Sequence, residues 1–129
     1  MDKLLSGCGV LVIEDEMLIL MMIEMMLSDL GCDSIVSAST VNTALTAVER
    51  GDYDIAMLDM NLGGEDSYRI ADALDARGVP YLFCTGNAGG DRRDNVKARP
   101  IMRKPFAVKA LSENLAALLS ERNFPLAAA

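Results

Sequence analysis

Five side chains have types that belong together in chemistry: Glu14, Asp15, Asp59, Thr85 and Lys104. Each follows or ends a short apolar run, Gly9–Ile13 before Glu14-Asp15 and Ile55–Leu58 before Asp59 among them. Three carboxylates brought to one place repel and raise one another's pKa unless something positive intervenes. A hard divalent cation with oxygen ligands answers that need. Mg²⁺ prefers one or two carboxylates together with water and a phosphate oxygen. Lys104 adds a compact charge suited to a phosphoryl oxygen. A carboxylate beside a cation and a lysine can act as nucleophile and form an acyl phosphate. Such a transfer asks mainly for in-line positioning and charge neutralisation, which the cation, Lys104 and Thr85 would supply.

These side chains need a scaffold that collects them, and the pattern supplies one. Strands are expected at Gly9–Ile13, Ser34–Ser37 (polar at its ends, hence a sheet edge), Tyr53–Leu58, Tyr81–Thr85 and within Arg99–Lys104. Helices are expected over Glu16–Leu30, Val41–Arg50, Glu65–Arg77 and Val108–Arg122. Gly31 closes the first helix, Ser39 or Thr40 caps the second and Gly51 ends it. Asn61–Gly64 reads as a loop, and Asn87–Ala98 is Gly-rich and charged with at best a short helix. Strict alternation of strand and helix implies a doubly wound α/β domain, a parallel sheet with helices on both faces. Ligands in such sheets bind outside the carboxyl ends of the strands, where the five residues fall. One domain is expected over 1–129, with its core at about 8–122 and a frayed tail at 123–129.

Charge and composition exclude several classes. Nineteen acidic against twelve basic residues give a net charge of −7, so a polyanion or an anionic membrane surface is repelled and no direct nucleic-acid binding is expected. The three cysteines, Cys8, Cys32 and Cys84, have no paired spacing and the chain has no histidine, which argues against zinc and disulfides. They read as reduced apolar residues of a cytoplasmic protein. The start has too short an apolar run for a signal peptide, and Met17–Ile23, ended by Glu24, is too short to span a bilayer.

Four segments carry a resemblance: Val12-Ile13-Glu14-Asp15-Glu16, Met57-Leu58-Asp59-Met60-Asn61-Leu62, Phe83-Cys84-Thr85-Gly86 and Arg103-Lys104-Pro105-Phe106. Together they resemble the signature segments of response-regulator receiver domains, and the match spans about residues 8–122. The resemblance implies a flavodoxin-like five-stranded sheet of order 2-1-3-4-5. It implies that Asp59 accepts a phosphoryl group from a phosphohistidine on a sensor histidine kinase or a histidine phosphotransfer protein. Glu14 and Asp15 would hold Mg²⁺ with Asp59 and the backbone carbonyl of Asn61. Lys104 would contact the phosphoryl group, Thr85 would move toward it, and the Lys104-Pro105 bond would be cis. The protein would then be a signalling switch or phosphorelay intermediate acting on a downstream protein, catalysing only its own phosphorylation and dephosphorylation.

Some positions depart from that pattern. Glu14 stands where aspartate is commoner, supplying an oxygen with longer reach. Many receivers carry an aromatic residue three positions before the lysine; here it is Ile101, with no ring to swing. Output is therefore expected from reordering of Asn87–Val96, loosened by Gly86, Gly89 and Gly90. In the first helix Ile19, Met22, Ile23, Met26, Leu27 and Leu30 form the expected core stripe. Met17, Leu20, Met21 and Met25 are left near the opposite face, as a homodimer contact or a docking face for the phosphodonor. Two other classes compete with this reading. A phosphohydrolase of the haloacid-dehalogenase type needs an acid two residues after its aspartate, where this chain has Asn61. A pseudo-receiver that never carries phosphate is opposed by the intact Asp59, Lys104 and Thr85.

Overall fold

The computed structural model describes residues 3–63, 65–86 and 99–123. Its strands are β1 (Gly9–Ile13), β2 (Ser34–Ala38), β3 (Ile55–Asp59), the two-residue β4 (Asn61–Leu62) and β5 (Glu65–Asp66), β6 (Tyr81–Thr85) and β7 (Ile101–Arg103). Its helices are α1 (Met17–Asp29), α2 (Val41–Arg50), α3 (Tyr68–Ala76) and α4 (Val108–Asn123). The five longer strands form one parallel sheet in the order β2-β1-β3-β6-β7, the expected 2-1-3-4-5 when the small hairpin is set aside. This is the flavodoxin-like arrangement.

Alternation along the strands builds two cores. Leu11, Ile13, Ala56, Leu58, Tyr81 and Phe83 face α2 and α3, where Val41, Ala44, Val48, Ile70 and Leu74 meet them. Val10, Val12, Ile55, Met57, Leu82 and Cys84 face α1 and α4, where Leu20, Ile23, Leu27, Leu111 and Leu115 meet them. Central strands buried on both faces read as unbroken apolar runs, which is why β1, β3 and β6 were legible. β2 is exposed at Ser34, Val36 and Ser37 and buried only at Ala38, as suits an edge strand. α2 begins where expected because Thr40 and Thr43 form a capping box: the Thr43 amide donates to Thr40 Oγ1 at 3.0 Å and the Thr40 amide to Thr43 Oγ1 at 3.1 Å.

Two expectations need correction. The helix expected from Glu65 begins at Tyr68, since Glu65–Asp66 pairs antiparallel with Asn61–Leu62. Gly63, at φ 57°, supplies the left-handed turn that lets the chain double back there. The face of α1 is also turned from the expected one. Leu20 is buried at 7% exposure, whereas Met22 is 49% exposed. The stripe runs Leu20, Ile23, Leu27, with Ile19, Met26 and Leu30 only partly buried beside it. Glu24 is the one charged residue between Met17 and Leu27, so composition does not mark the buried side of this helix and packing against the sheet decides it. The exposed apolar face is thus Met17, Leu18, Met21, Met22 and Met25, without Leu20.

Candidate functional site

Each site residue stands where a strand stops being apolar. Glu14 follows β1 and continues its ladder, its amide donating to the Ala38 carbonyl at 3.0 Å. Asp59 and Thr85 end β3 and β6. Lys104 follows β7, its amide donating to the Thr85 carbonyl at 2.8 Å. Because the sheet is parallel, all of these lie on one rim.

The carboxylates of Glu14, Asp15 and Asp59 each place an oxygen within 4.8 Å of the others. Glu14 and Asp59 are buried and Asp15 is exposed. Lys104 Nζ lies 2.7 Å from Glu14 Oε1 and 3.3 Å from Asp59 Oδ2. Backbone amides hold the other oxygens: Glu16 N donates to Glu14 Oε2 at 3.2 Å, Asn61 N to Asp59 Oδ1 at 3.2 Å and Gly63 N to Asp15 Oδ2 at 2.9 Å. A cleft of about 370 Å³ opens over these groups, lined by Asp15, Glu16, Ile19, Asp59, Asn61, Gly63, Gly86 and Lys104.

Burial pushes the Asp59 carboxyl up to about 7; the Asn61 amide and the Lys104 charge pull it down, and Glu14 pushes it further up. For Lys104, burial pulls the ammonium down, but Glu14 and Asp59 outweigh it and the net shift is upward. Cys84, beneath the rim, is pushed up to about 12 by burial, so it stays a thiol.

The donor set fits a hard divalent cation. One ammonium, that of Lys104, meets two of the three clustered carboxylates, Glu14 and Asp59. The 2.7 Å contact from Lys104 Nζ to Glu14 Oε1 is the closer of its two carboxylate contacts. The carboxylate charge that one ammonium leaves unbalanced favours a hard cation here.

Glu14, Asp15, Asp59 and Lys104 are brought together as the sequence implied. Asn61 adjoins Asp59 through its amide. Thr85 is buried at the neighbouring strand end and joins Lys104 through its backbone. Ile101 is the register partner of Phe83 and packs half-buried beside it. Rings do gather nearby: Tyr68 lies edge-on to Phe83 at 6.3 Å, and Tyr81 edge-on to Phe83 at 5.7 Å. The segment Asn87–Val96, expected to reorder, lies outside the described residues, as does the tail beyond Asn123.

Sequence reasoning missed Ser67. It is buried just before α3, and its hydroxyl donates to the Asp59 carbonyl rather than capping the helix. A serine at an N-cap position is its only sequence signal. Also missed was an apolar cavity of about 220 Å³ beside the cleft, lined by Ile19, Met22, Ile23, Met26, Lys104, Pro105 and Phe106. Ile19 and Lys104 line both spaces. The Lys104-Pro105 bond is cis.

Comparison with known proteins gives a consistent picture. The family described as the response regulator receiver domain matches residues 10–116. Among solved structures, SdrG from Sphingomonas melonis Fr1 is 42% identical, with a TM-score of 0.78 over 87% of this chain and 96% of its own. The receiver domain of PhyR from Erythrobacter litoralis is 28% identical, with a TM-score of 0.77 over 93% of this chain and 95% of its own. The receiver domain of a sensor histidine kinase from Pseudomonas aeruginosa PAO1 is also 28% identical, with a TM-score of 0.77 over 89% of this chain and 99% of its own. That structure has a magnesium ion coordinated in its active-site cleft. No curated protein sequence matches the chain.

Proposed function

Since this chain belongs to the response regulator receiver domain family of two-component signalling, we propose that Asp59 accepts a phosphoryl group from a phosphohistidine in a Mg²⁺-dependent reaction. The observation that carries this reading is the gathering of Glu14, Asp15 and Asp59 at the carboxyl rim, with the Lys104 ammonium against Glu14 and Asp59. Glu14, Asp15, Asp59 and the Asn61 carbonyl would hold the cation. Bound Mg²⁺ supplies positive charge against the carboxylates and the phosphoryl oxygens. An Asp59 oxygen attacks phosphorus, the P–N bond to the donor imidazole breaks, and its electron pair returns to nitrogen. Lys104 meets a phosphoryl oxygen, and Thr85 closes on the group from the next strand end.

Receiver domains are generally signalling domains rather than enzymes, and this protein is read as a switch or relay with no independent substrate. Phosphorylation acts by favouring one conformer, which a downstream protein reads. The donor, a sensor histidine kinase or histidine phosphotransfer protein, is assigned to the apolar face of α1. Asp15, Glu16 and Glu24 border that face, and no basic residue lies in α1, so a second copy would set acid against acid. Donor docking is therefore favoured over a homodimer. No helix among the described residues is long and apolar enough to cross a membrane, and a cytoplasmic location fits the three free cysteines.

The test is incubation with Mg²⁺ and a small phosphodonor, comparing the wild type with Asp59→Asn. Acid-labile phosphate on the wild type alone is expected. Rapid multiple turnover would indicate a hydrolase, and no labelling of either protein would overturn the switch.

A further inference from the structure

The lysine at the rim is closer to the wrong carboxylate. Lys104 Nζ is 2.7 Å from Glu14 and 3.3 Å from Asp59, although Asp59 is the proposed acceptor. Glu14 reaches it because its side chain is one methylene longer than that of aspartate. The pair is sheltered: Glu14 is 1% exposed, so solvent and salt screen it little. Lys104 Nζ is the close partner of Glu14 Oε1, whereas Oε2 is held by the Glu16 amide. A single oxygen is thus claimed by the ammonium and, on the reading above, wanted by the cation.

We propose that Glu14 is a positioning residue that holds Lys104 back from the phosphoryl site until a divalent cation takes its place on Glu14 Oε1. The inference rests on the cleft being a cation and phosphoryl site. Metal-free, the ammonium is engaged by Glu14 and only half-shared with Asp59. With the cation bound, Glu14 has exchanged one positive partner for another, and Lys104 is free to meet a phosphoryl oxygen in the cleft it lines. The exchange makes the cation's affinity lower than the three carboxylates alone would give, and makes the lysine's availability conditional on the cation. No bond is formed or broken in this step; it is a change of ion partners.

The test is a cycle of Mg²⁺ titrations on the wild type, Glu14→Asp, Lys104→Gln and the double variant, followed by calorimetry and by NMR because the chain has no tryptophan. Removing the lysine should tighten Mg²⁺ binding in the wild-type background by roughly tenfold more than in the Glu14→Asp background, a coupling usual for charged neighbours. Equal tightening in both backgrounds would mean that Lys104 acts only as a distant charge, and overturns the proposal while leaving the cation site intact. No Mg²⁺ binding by the wild type overturns both readings. Should Lys104→Gln fail to fold, the Lys104 side-chain resonances decide. In metal-free Glu14→Asp they should lie where those of the wild type move on saturation with Mg²⁺. Resonances at the metal-free wild-type position refute the latch.

Discussion

The two rims of the parallel sheet use the same residue types to opposite ends. At the amino rim each acid described here has a donor of its own. Asp54 accepts from the Gly9 amide at 2.8 Å, Asp52 meets Arg77 at 3.3 Å, and Asp75 meets Arg99 at 3.5 Å and the Tyr81 hydroxyl at 3.1 Å. At the carboxyl rim Glu14 and Asp59 are buried against one ammonium, and Asp15 adds a third carboxylate within 4.8 Å of both. The first arrangement stabilises the fold; the second withholds stability until something positive arrives. The sheet separates these roles because parallel strands put all their amino ends at one edge and all their carboxyl ends at the other.

The contrast predicts opposite responses to neutralising an acid. The Asp59 carboxyl is raised from 3.8 to about 7, chiefly by burial. Its neutral form therefore favours the folded chain: this contribution is complete below about pH 4 and is lost as pH rises through about 7. Metal-free wild type should lose stability across that window. Asp59→Asn should remove the slope and be more stable than the wild type at pH 8, by on the order of 3 kcal/mol. Urea denaturation in EDTA at pH 5 and pH 8 measures this, and a variant less stable at pH 8 would erase the contrast. Somewhat smaller is the effect of the cation. At Mg²⁺ about 100-fold above its dissociation constant the wild type should gain about 2.7 kcal/mol, read as a rise in melting temperature that Asp59→Asn largely lacks. At the other rim Asp54→Asn should cost about 1 kcal/mol and leave the Mg²⁺ response unchanged. The smallest change in stability, within about 0.5 kcal/mol, is expected for Met21→Lys with Met25→Lys on the exposed face of α1. Phosphotransfer from a histidine donor should nevertheless slow, while labelling by a small phosphodonor stays intact.

What the sequence revealed followed from signals local to each element. β1 and β6 match their expected limits because a strand buried on both faces is an unbroken apolar run bounded by polar residues. α2 matches because Thr40 marks its start and Gly51 its end. Glu14, Asp59 and Lys104 were legible because a charge at the end of such a run has no packing explanation. The rest depended on partners distant in sequence. Nothing local says that Ser67 will spend its hydroxyl on the Asp59 carbonyl, so the start of α3 was placed too early. Nothing in an almost wholly apolar helix says which side meets the sheet, so Leu20 and Met22 were exchanged. That the lysine prefers Glu14 to Asp59 is a matter of side-chain length resolved only by coordinates.

The Ser67 hydroxyl closes a ring on the Asp59 carbonyl, eight residues away along the chain. In polymer terms a ring of that size is inexpensive to close, and doubling it would add only about 0.6 kcal/mol of entropy. Stability alone therefore sets little limit on the length of the β4–β5 hairpin. The limit comes from geometry, because the ring fixes where α3 begins relative to Asp59. Insertions at Gly63 should be tolerated by the fold so long as Ser67 still reaches that carbonyl. The same insertions would move Gly63 N away from Asp15, so loop length would tune the cleft before it troubled the core.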